Sequence, residues 1–353
     1  MAAWKVLQCS CKDLQLLITL SGGQCFRWHK NEDEWTGVFA NRIWTLKQTD
    51  GEILYEVQHG QRSKLNSACT NDDTKKKRKV GRKKNESGDG KFSEEDEQLL
   101  CNYFRLNQSL DDLYDQWSKS DPNFKEVATK FYGVRMLQQE PVENIFSFIC
   151  SSNNNISRIS SMVEKLCTLY GPIIGTKNGH TYHAFPEIDA LAEASVEQDL
   201  RKAGFGYRAK FIQKSAAMIQ KLGGKSWLQS LQEKSYKEAK AALMELPGIG
   251  AKVADCICLM SLNHLEAIPV DTHVWQISCR YLPHLKSYKS VTEKVYNEIG
   301  DYFRNLYGPY AGWAHTVLFC ADLKMFQEKE AKTGTKRKAG NTKEDKKAKN
   351  KLI

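Results

Sequence analysis

The strongest constraint on this chain is a pair of helices joined by a five-residue break that holds one proline and two glycines. Ser235-Tyr236-Lys237-Glu238 has the form of a capping box, so a helix begins there and runs to about residue 245. Leu246-Pro247-Gly248-Ile249-Gly250 ends it, and a second helical stretch starts at once with Ala251-Lys252-Val253-Ala254-Asp255-Cys256. Proline cannot continue a helix and glycine accepts backbone conformations closed to other residues, so the break is a tight hairpin. Gly248 and Gly250 have no Cβ, and their N–H groups lie where the second helix begins. Unpaired amides and the helix dipole favour an anion there. Such a hairpin can clamp a phosphate without reading a base. An ordinary αα-hairpin uses the same turn residues, so the turn alone leaves both readings open.

Two downstream residues tip the balance. Lys252 falls in the first turn of the second helix, on the side the hairpin exposes. Pro269-Val270-Asp271-Thr272-His273 opens another helix, with Asp271 as its N-cap or in its first turn. Taken singly, Lys252 is an ordinary surface lysine and Asp271 an ordinary cap. Together, behind a phosphate clamp, an amine and a carboxylate make a nucleophile–carboxylate pair.

The rest of the chain divides by pattern. Residues 14–20, 34–39, 42–48 and 52–58 are short, rich in β-branched and aromatic side chains, and separated by turn signals, which predicts an N-terminal antiparallel sheet. Residues of about 60–93 are polar, charged and poor in large apolar groups, and are expected to be a disordered insertion. From about residue 94 the pattern is helical, with helices expected at 141–150, 156–170, 188–202, 208–222, 225–233, 236–245, 251–262, 272–281, 291–306 and 312–322. The expected division is 1–130 for the sheet domain, 131–327 for the helical core and 328–353 for a disordered basic tail.

Charge distribution matters more than the net +10. Residues 75–84 carry +8 and residues 328–353 carry +6, which leaves about −4 on the remainder. The folded body is therefore not broadly basic, and a nucleic-acid surface on it must be local and shaped. The run from Lys75 to Lys84 has the composition of a nuclear-import signal, although a solvated charge run looks the same. The eleven cysteines include no Cys-x-x-Cys pair, so zinc and iron–sulfur spacings are lacking and reduced thiols are expected. No apolar run approaches the roughly 20 residues that span a bilayer, and no secretory signal is recognisable.

The segment from Leu246 to Cys256, taken with Pro269-Val270-Asp271-Thr272-His273, resembles the helix-hairpin-helix DNA glycosylases. Further blocks are similar to the eukaryotic 8-oxoguanine branch of that family: Ser21-Gly22-Gly23-Gln24-Cys25-Phe26-Arg27-Trp28, the stretch from Phe146 to Ile156 with its Asn153-Asn154-Asn155, Gly206-Tyr207-Arg208-Ala209, and Gly308-Pro309-Tyr310-Ala311-Gly312-Trp313. The resemblance covers about residues 10–60 and 94–326. It implies an α+β fold, with a TATA-binding-protein-like antiparallel sheet packed on an all-α helix-hairpin-helix core. It also implies a bifunctional DNA glycosylase with AP lyase activity, needing no cofactor or metal, acting as a monomer in the nucleus on double-stranded DNA that contains oxidised guanine. A mitochondrial form is left open.

The resemblance assigns roles residue by residue. Lys252 would attack the sugar C1′ and Asp271 would steady the charge formed there. Cys256 and Phe319 would sandwich the flipped base. The Gly23 carbonyl would accept a hydrogen bond from N7–H, which oxidised guanine has and guanine lacks. Met260 and Pro269 would line the pocket. Asn153 would fill the hole left in the stack, Tyr207 would wedge it, and Arg158 and Arg208 would donate to the widowed cytosine. Gly248, Gly250 and His273 would contact phosphate. The sequence departs from the family at His315, where a glutamine is usual. A neutral imidazole offers one donor and one acceptor, as an amide does, but in a different geometry. Two rivals stand beside this reading: a related glycosylase with a different base, and a non-catalytic helix-hairpin-helix DNA-binding module.

Overall fold

The computed structural model describes residues 4–10, 12–60, 88–323 and 325–326, with side chains from residue 94 onward in the second helix. The basic run 75–84, the tail 328–353 and most of the expected insertion lie outside the described residues.

The N-terminal part comprises β1 (Lys5–Leu7), α1 (Leu16–Ser21), β2 (His29–Asn31), β3 (Glu34–Phe39), β4 (Arg42–Gln48), β5 (Ile53–His59) and α2 (Gly88–Tyr103). Its five strands form one antiparallel sheet in the order β1-β5-β4-β3-β2. Two expectations need correction here. Residues 14–20 were expected to form a strand, but Leu16–Ser21 is a helix. A short apolar run fits either period, and tertiary packing decides it. Leu14, Leu16 and Leu20 pack into the sheet core, while Leu17 reaches both that core and the helical one. Gln48 on β4 accepts from the Leu16 N–H at 2.9 Å and donates to the Leu14 carbonyl at 3.0 Å, which fixes the start of the helix. The insertion was also expected to extend to about residue 93, whereas α2 begins at Gly88.

Helices dominate thereafter: α3 (Leu110–Ser120), α4 (Pro122–Ala128), α5 (Pro141–Ser151) and α6 (Ile156–Tyr170). The hairpin β6 (Ile173–Lys177) and β7 (His180–His183) follows, then α7 (Ile188–Ala192), α8 (Val196–Lys202), α9 (Arg208–Leu222), α10 (Lys225–Ser230), α11 (Tyr236–Met244), α12 (Ala251–Met260), α13 (Thr272–Tyr281), α14 (Glu293–Tyr307) and α15 (Ala311–Asp322). The β6–β7 hairpin and the split of 188–202 into two helices depart from the all-helical expectation. Asn178 and Gly179 both take positive φ, 52° and 76°, which is the conformation that a two-residue hairpin turn demands.

Side-chain caps start many of these helices: Ser109, Asp121, Asn155, Asp271 and Thr292 each accept a backbone N–H, and Ser235 with Glu238 completes the capping box. Trp117, Phe124, Phe146, Phe205, Phe303, Tyr307 and Trp313 are fully buried in the helical core. A second core lies between the sheet, α1 and α2, around Trp44, Tyr55, Leu100 and Phe104. The observed fold is α+β, as expected.

Candidate active site

The hairpin is built by steric necessity at one glycine and not at the other. Gly248 has φ +85°, and a Cβ there would lie 2.6–2.7 Å from atoms of Phe211 on α9. Ser215 on α9 donates to the Pro247 carbonyl at 2.7 Å and pins the turn from the same side. Gly250 is the N-cap of α12 with φ −94° and ψ −179°, and a Cβ there would meet nothing within 4 Å. No side chain caps α12, so its first amides keep the polarity that suits an anion.

Lys252 is half-buried at the start of α12, with Nζ 5.0 Å from the centroid of the Phe148 ring on α5. One turn on, Cys256 is 2% exposed, and Met260 follows at 7%. Burial pushes the Cys256 thiol up to about 11. Lys252 pulls it down, and Asp255 and then Asp271 push it up. Asp271 is the N-cap of α13. Its Oδ1 accepts from the N–H groups of His273 and Val274, each at 2.9 Å, which locks the carboxylate in place. Of the two positions open to Asp271, the cap is the one observed.

α15 closes the site. Gly312 donates its N–H to the Leu265 carbonyl at 2.8 Å, and a Cβ there would strike the Ala267 carbonyl, so the helix lies hard against the segment leading to Pro269. This brings in His315 and Phe319. His315 is 2% exposed and packs edge-on against Phe303 with centroids 4.6 Å apart. Burial holds its imidazole down at about 4, with Asp271 pulling the other way, so it is neutral at physiological pH. Its Nε2 has no hydrogen-bond partner among the described residues. Phe319 is half-buried and meets His273 edge-on at 6.2 Å.

The Gly23 loop is clamped to this assembly. Gln24 donates to the Arg135 carbonyl at 2.9 Å and accepts from the Leu137 N–H at 3.0 Å. Gln139 donates its side chain to the Gln24 carbonyl and its own N–H to the Met260 carbonyl, both at 2.8 Å. A Cβ on Gly22 would sit 3.0 Å from Cys320 Sγ, which puts the loop beside α15 next to Phe319.

The residues expected to meet the opposite strand form a second group. Asn153 is exposed with φ +47°. Tyr207 is 49% exposed and its hydroxyl donates to the Ser152 carbonyl at 3.2 Å. Arg208 is 4% exposed; its guanidinium donates to the Ser152 and Asn153 carbonyls and lies 4.6 Å from the Tyr207 ring. Arg158 is exposed on the first turn of α6. The expectation has Arg208 donating to a base; its observed partners are carbonyls of its own chain. Sequence reasoning passed over Phe148, Asp255 and Tyr296, which read there as ordinary members of helices.

A helix-hairpin-helix with a half-buried lysine at the start of its second helix and a carboxylate capping the next defines a base-excision DNA repair protein. Residues 146–300 match the HhH-GPD superfamily of base excision DNA repair proteins, and residues 6–145 match the N-terminal domain of 8-oxoguanine DNA glycosylase. The chain is 39% identical over 324 residues to the N-glycosylase/DNA lyase OGG1 of Arabidopsis thaliana, covering 91% of this chain and 80% of that protein. It is 39% identical over 249 residues to the N-glycosylase/DNA lyase of Saccharomyces cerevisiae, covering 64% and 66%. The Clostridium acetobutylicum 8-oxoguanine glycosylase/lyase, solved with duplex DNA containing cytosine opposite 8-oxoguanine, superposes with a TM-score of 0.71 at 25% identity, covering 91% of this chain and 97% of that one. The chain belongs to the 8-oxoguanine DNA glycosylase family, and is a bifunctional DNA glycosylase with AP lyase activity.

Proposed function

We propose that this enzyme excises 8-oxoguanine paired with cytosine from duplex DNA, with Lys252 as nucleophile and Asp271 as the carboxylate that steadies the reacting sugar. The observation that supports this most is the half-buried amine of Lys252 at the start of the second hairpin helix, over the Phe148 ring, with Asp271 locked as the cap of the next helix by two backbone amides. The amine of Lys252 attacks C1′ through its nitrogen lone pair, and the base leaves with the glycosidic electron pair and takes up a proton. Opening of the sugar ring gives a Schiff base, whose imine acidifies C2′–H. Loss of that proton expels the 3′ phosphate, and water then releases Lys252. Asp271 offsets the positive charge as the glycosidic bond breaks.

Cys256 and Phe319 sandwich the extruded base, Met260 and Pro269 line its pocket, and the Gly23 carbonyl accepts from N7–H. His315 meets the Watson–Crick edge with its unpartnered Nε2. A buried hydrogen bond lost or mispaired costs about 1–3 kcal/mol, enough for one contact to supply much of the discrimination. Asn153 fills the stack, Tyr207 wedges it, Arg158 and Arg208 donate to the cytosine, and Gly248, Gly250 and His273 hold phosphate. The run from Lys75 to Lys84 serves nuclear import.

The test is borohydride trapping on duplexes carrying 8-oxoguanine opposite each normal base. Wild type is expected to trap covalently, most strongly opposite cytosine. Lys252→Gln is expected to lose the trap and slow excision about a thousandfold or more. Persistent trapping in Lys252→Gln, or faster release of an alkylated purine than of 8-oxoguanine, would overturn the reading. Binding without trapping or cleavage would favour a non-catalytic module.

A further inference from the structure

α12 carries a second ionisable group that the proposed chemistry does not use. Asp255, three residues beyond Lys252, is fully buried. Its carboxylate accepts from the Tyr236 hydroxyl at 2.7 Å, from Lys240 Nζ at 2.8 Å and from the Tyr296 hydroxyl. Tyr236 and Lys240 stand on α11, the helix before the hairpin, and Tyr296 stands on α14. Lys240 also lies over both rings, 5.6 Å from the Tyr236 centroid and 4.6 Å from that of Tyr296. A buried carboxylate needs all this to be tolerated, and an apolar side chain would pack there at less cost. The arrangement therefore supplies direction more than stability.

The direction is set at Tyr296. A phenol has one proton and two lone pairs. The hydroxyl reaches Asp255 and, at 3.3 Å, the Ile268 carbonyl; the charged and nearer Asp255 takes the proton, and a lone pair accepts the Val270 N–H at 3.3 Å. Val270 immediately precedes Asp271. One hydroxyl thus joins the helix that carries the amine to the segment that delivers the carboxylate, through two hydrogen bonds in series. Apolar contacts resist separation of α12 from α13 but are indifferent to small slides. Directional bonds resist slides.

We propose that Asp255 and Tyr296 are positioning residues that hold Lys252 and Asp271 in register for attack on the sugar. This rests on the assignment of Lys252 as nucleophile and Asp271 as its partner. Tyr296→Phe removes the hydroxyl and keeps the ring under Lys240. The expected result is single-turnover excision and borohydride trapping slowed about tenfold or more, since small misplacements of reacting groups cost rate rather than binding. Affinity for a duplex carrying a tetrahydrofuran abasic analogue is expected to stay within about twofold. Tyr114→Phe is the control. It deletes another buried hydroxyl, which donates to the Phe131 carbonyl at 2.8 Å, so it lowers stability without slowing excision. Should Tyr296→Phe not fold, Asp255→Asn keeps an oxygen for Tyr296 but loses the charge, and is expected to slow excision at unchanged affinity. Equal slowing in Tyr296→Phe and Tyr114→Phe, or wild-type excision in folded Tyr296→Phe and Asp255→Asn, overturns the proposal. Lys252→Gln in the same assay separates the layers. If it still traps, the nucleophile assignment falls and this inference with it. If it does not trap while Tyr296→Phe excises at the wild-type rate, only the inference falls.

Discussion

The amine–carboxylate centre and the turn that carries Asn153 lie in one molecule but are held in different ways. Around Lys252 the fixed points are buried or capped: Cys256 is 2% exposed, His315 is 2% exposed, and Asp271 is held by two backbone amides at 2.9 Å. Around Asn153 the side chains are exposed, and Arg208, the one that is buried, donates to the carbonyls of Ser152 and Asn153. The first group is ordered by folding. The second keeps donors in reserve: Arg208 reaches both carbonyls through Nη2, and its Nε has no hydrogen-bond partner among the described residues. A centre ordered by folding loses little on binding, and an arginine anchored to its own chain through one nitrogen is held in place while its other donors stay open to a partner. On the proposed roles of Lys252, Asp271 and Arg208, the chemistry is poised by folding and recognition rests on the donors that Arg208 keeps.

The largest expected effect separates the two jobs of Asp271. Asp271→Asn keeps an oxygen for the His273 and Val274 amides but loses the charge. Excision is expected to fall by about a hundredfold to a thousandfold, as when a transition-state charge partner is removed. Stability should change by less than about 0.5 kcal/mol because the cap survives. Asp271→Ala should add a loss of about 1 kcal/mol in chemical denaturation, the usual value of an N-cap. Equal stability loss in both variants would mean that the cap does not hold the centre.

Next comes the hairpin. Gly248→Ala combines a positive φ with a methyl forced against Phe211 at 2.6–2.7 Å. The expected loss is about 2–4 kcal/mol, from strain and overpacking together, read as a lower denaturation midpoint. DNA affinity should fall with it.

What could be read from sequence divides along the same line of local against distant causes. The hairpin and its helices were legible because a capping box, a proline and two glycines act within a few residues of themselves. The Asp271 cap was legible for the same reason. α1 was not, because a short apolar run around Leu16 has no period of its own, and Gln48 from β4 decides its start. The β6–β7 hairpin had a local signal in Asn178-Gly179, lost among helical neighbours. Phe148, Asp255 and Tyr296 had none. Tyr296 meets Asp255 across 41 residues, and nothing in either neighbourhood marks the pairing. Arg208 was assigned to DNA by resemblance, and its grip on Ser152 and Asn153 is a product of packing.

His315 should make the centre sensitive to acid. Its folded pKa of about 4 lies below the ordinary value of 6.5, so the folded protein binds fewer protons than the unfolded chain between those values. Its contribution is complete above about pH 6.5 and is lost as pH falls towards 4. From pH 7.5 to pH 5 the loss is about 2 kcal/mol from this group alone. His315→Gln should abolish that component of the pH dependence of the urea midpoint while restoring a side chain with fixed donor and acceptor. An unchanged pH dependence would mean that the imidazole is protonated or hydrated within the fold.

Gly250 gives the smallest effect and the sharpest distinction. Its backbone is extended, with φ −94°, and nothing lies within 4 Å of a Cβ there, so the fold does not demand glycine. Gly250→Ala should cost about 0.5–1 kcal/mol, the difference between glycine and alanine at an N-cap. If the α12 N-terminus receives a phosphate, the added methyl stands where the backbone of DNA must approach. Affinity for duplex should then fall several-fold more than stability does, and equally for every sequence, because the clamp reads no base. Cleavage of DNA at saturating protein should be unaffected, since Lys252 keeps its place. A variant that binds as wild type would assign the open space at Gly250 to the turn alone and leave anion binding to the helix amides, whose reach a single methyl does not block.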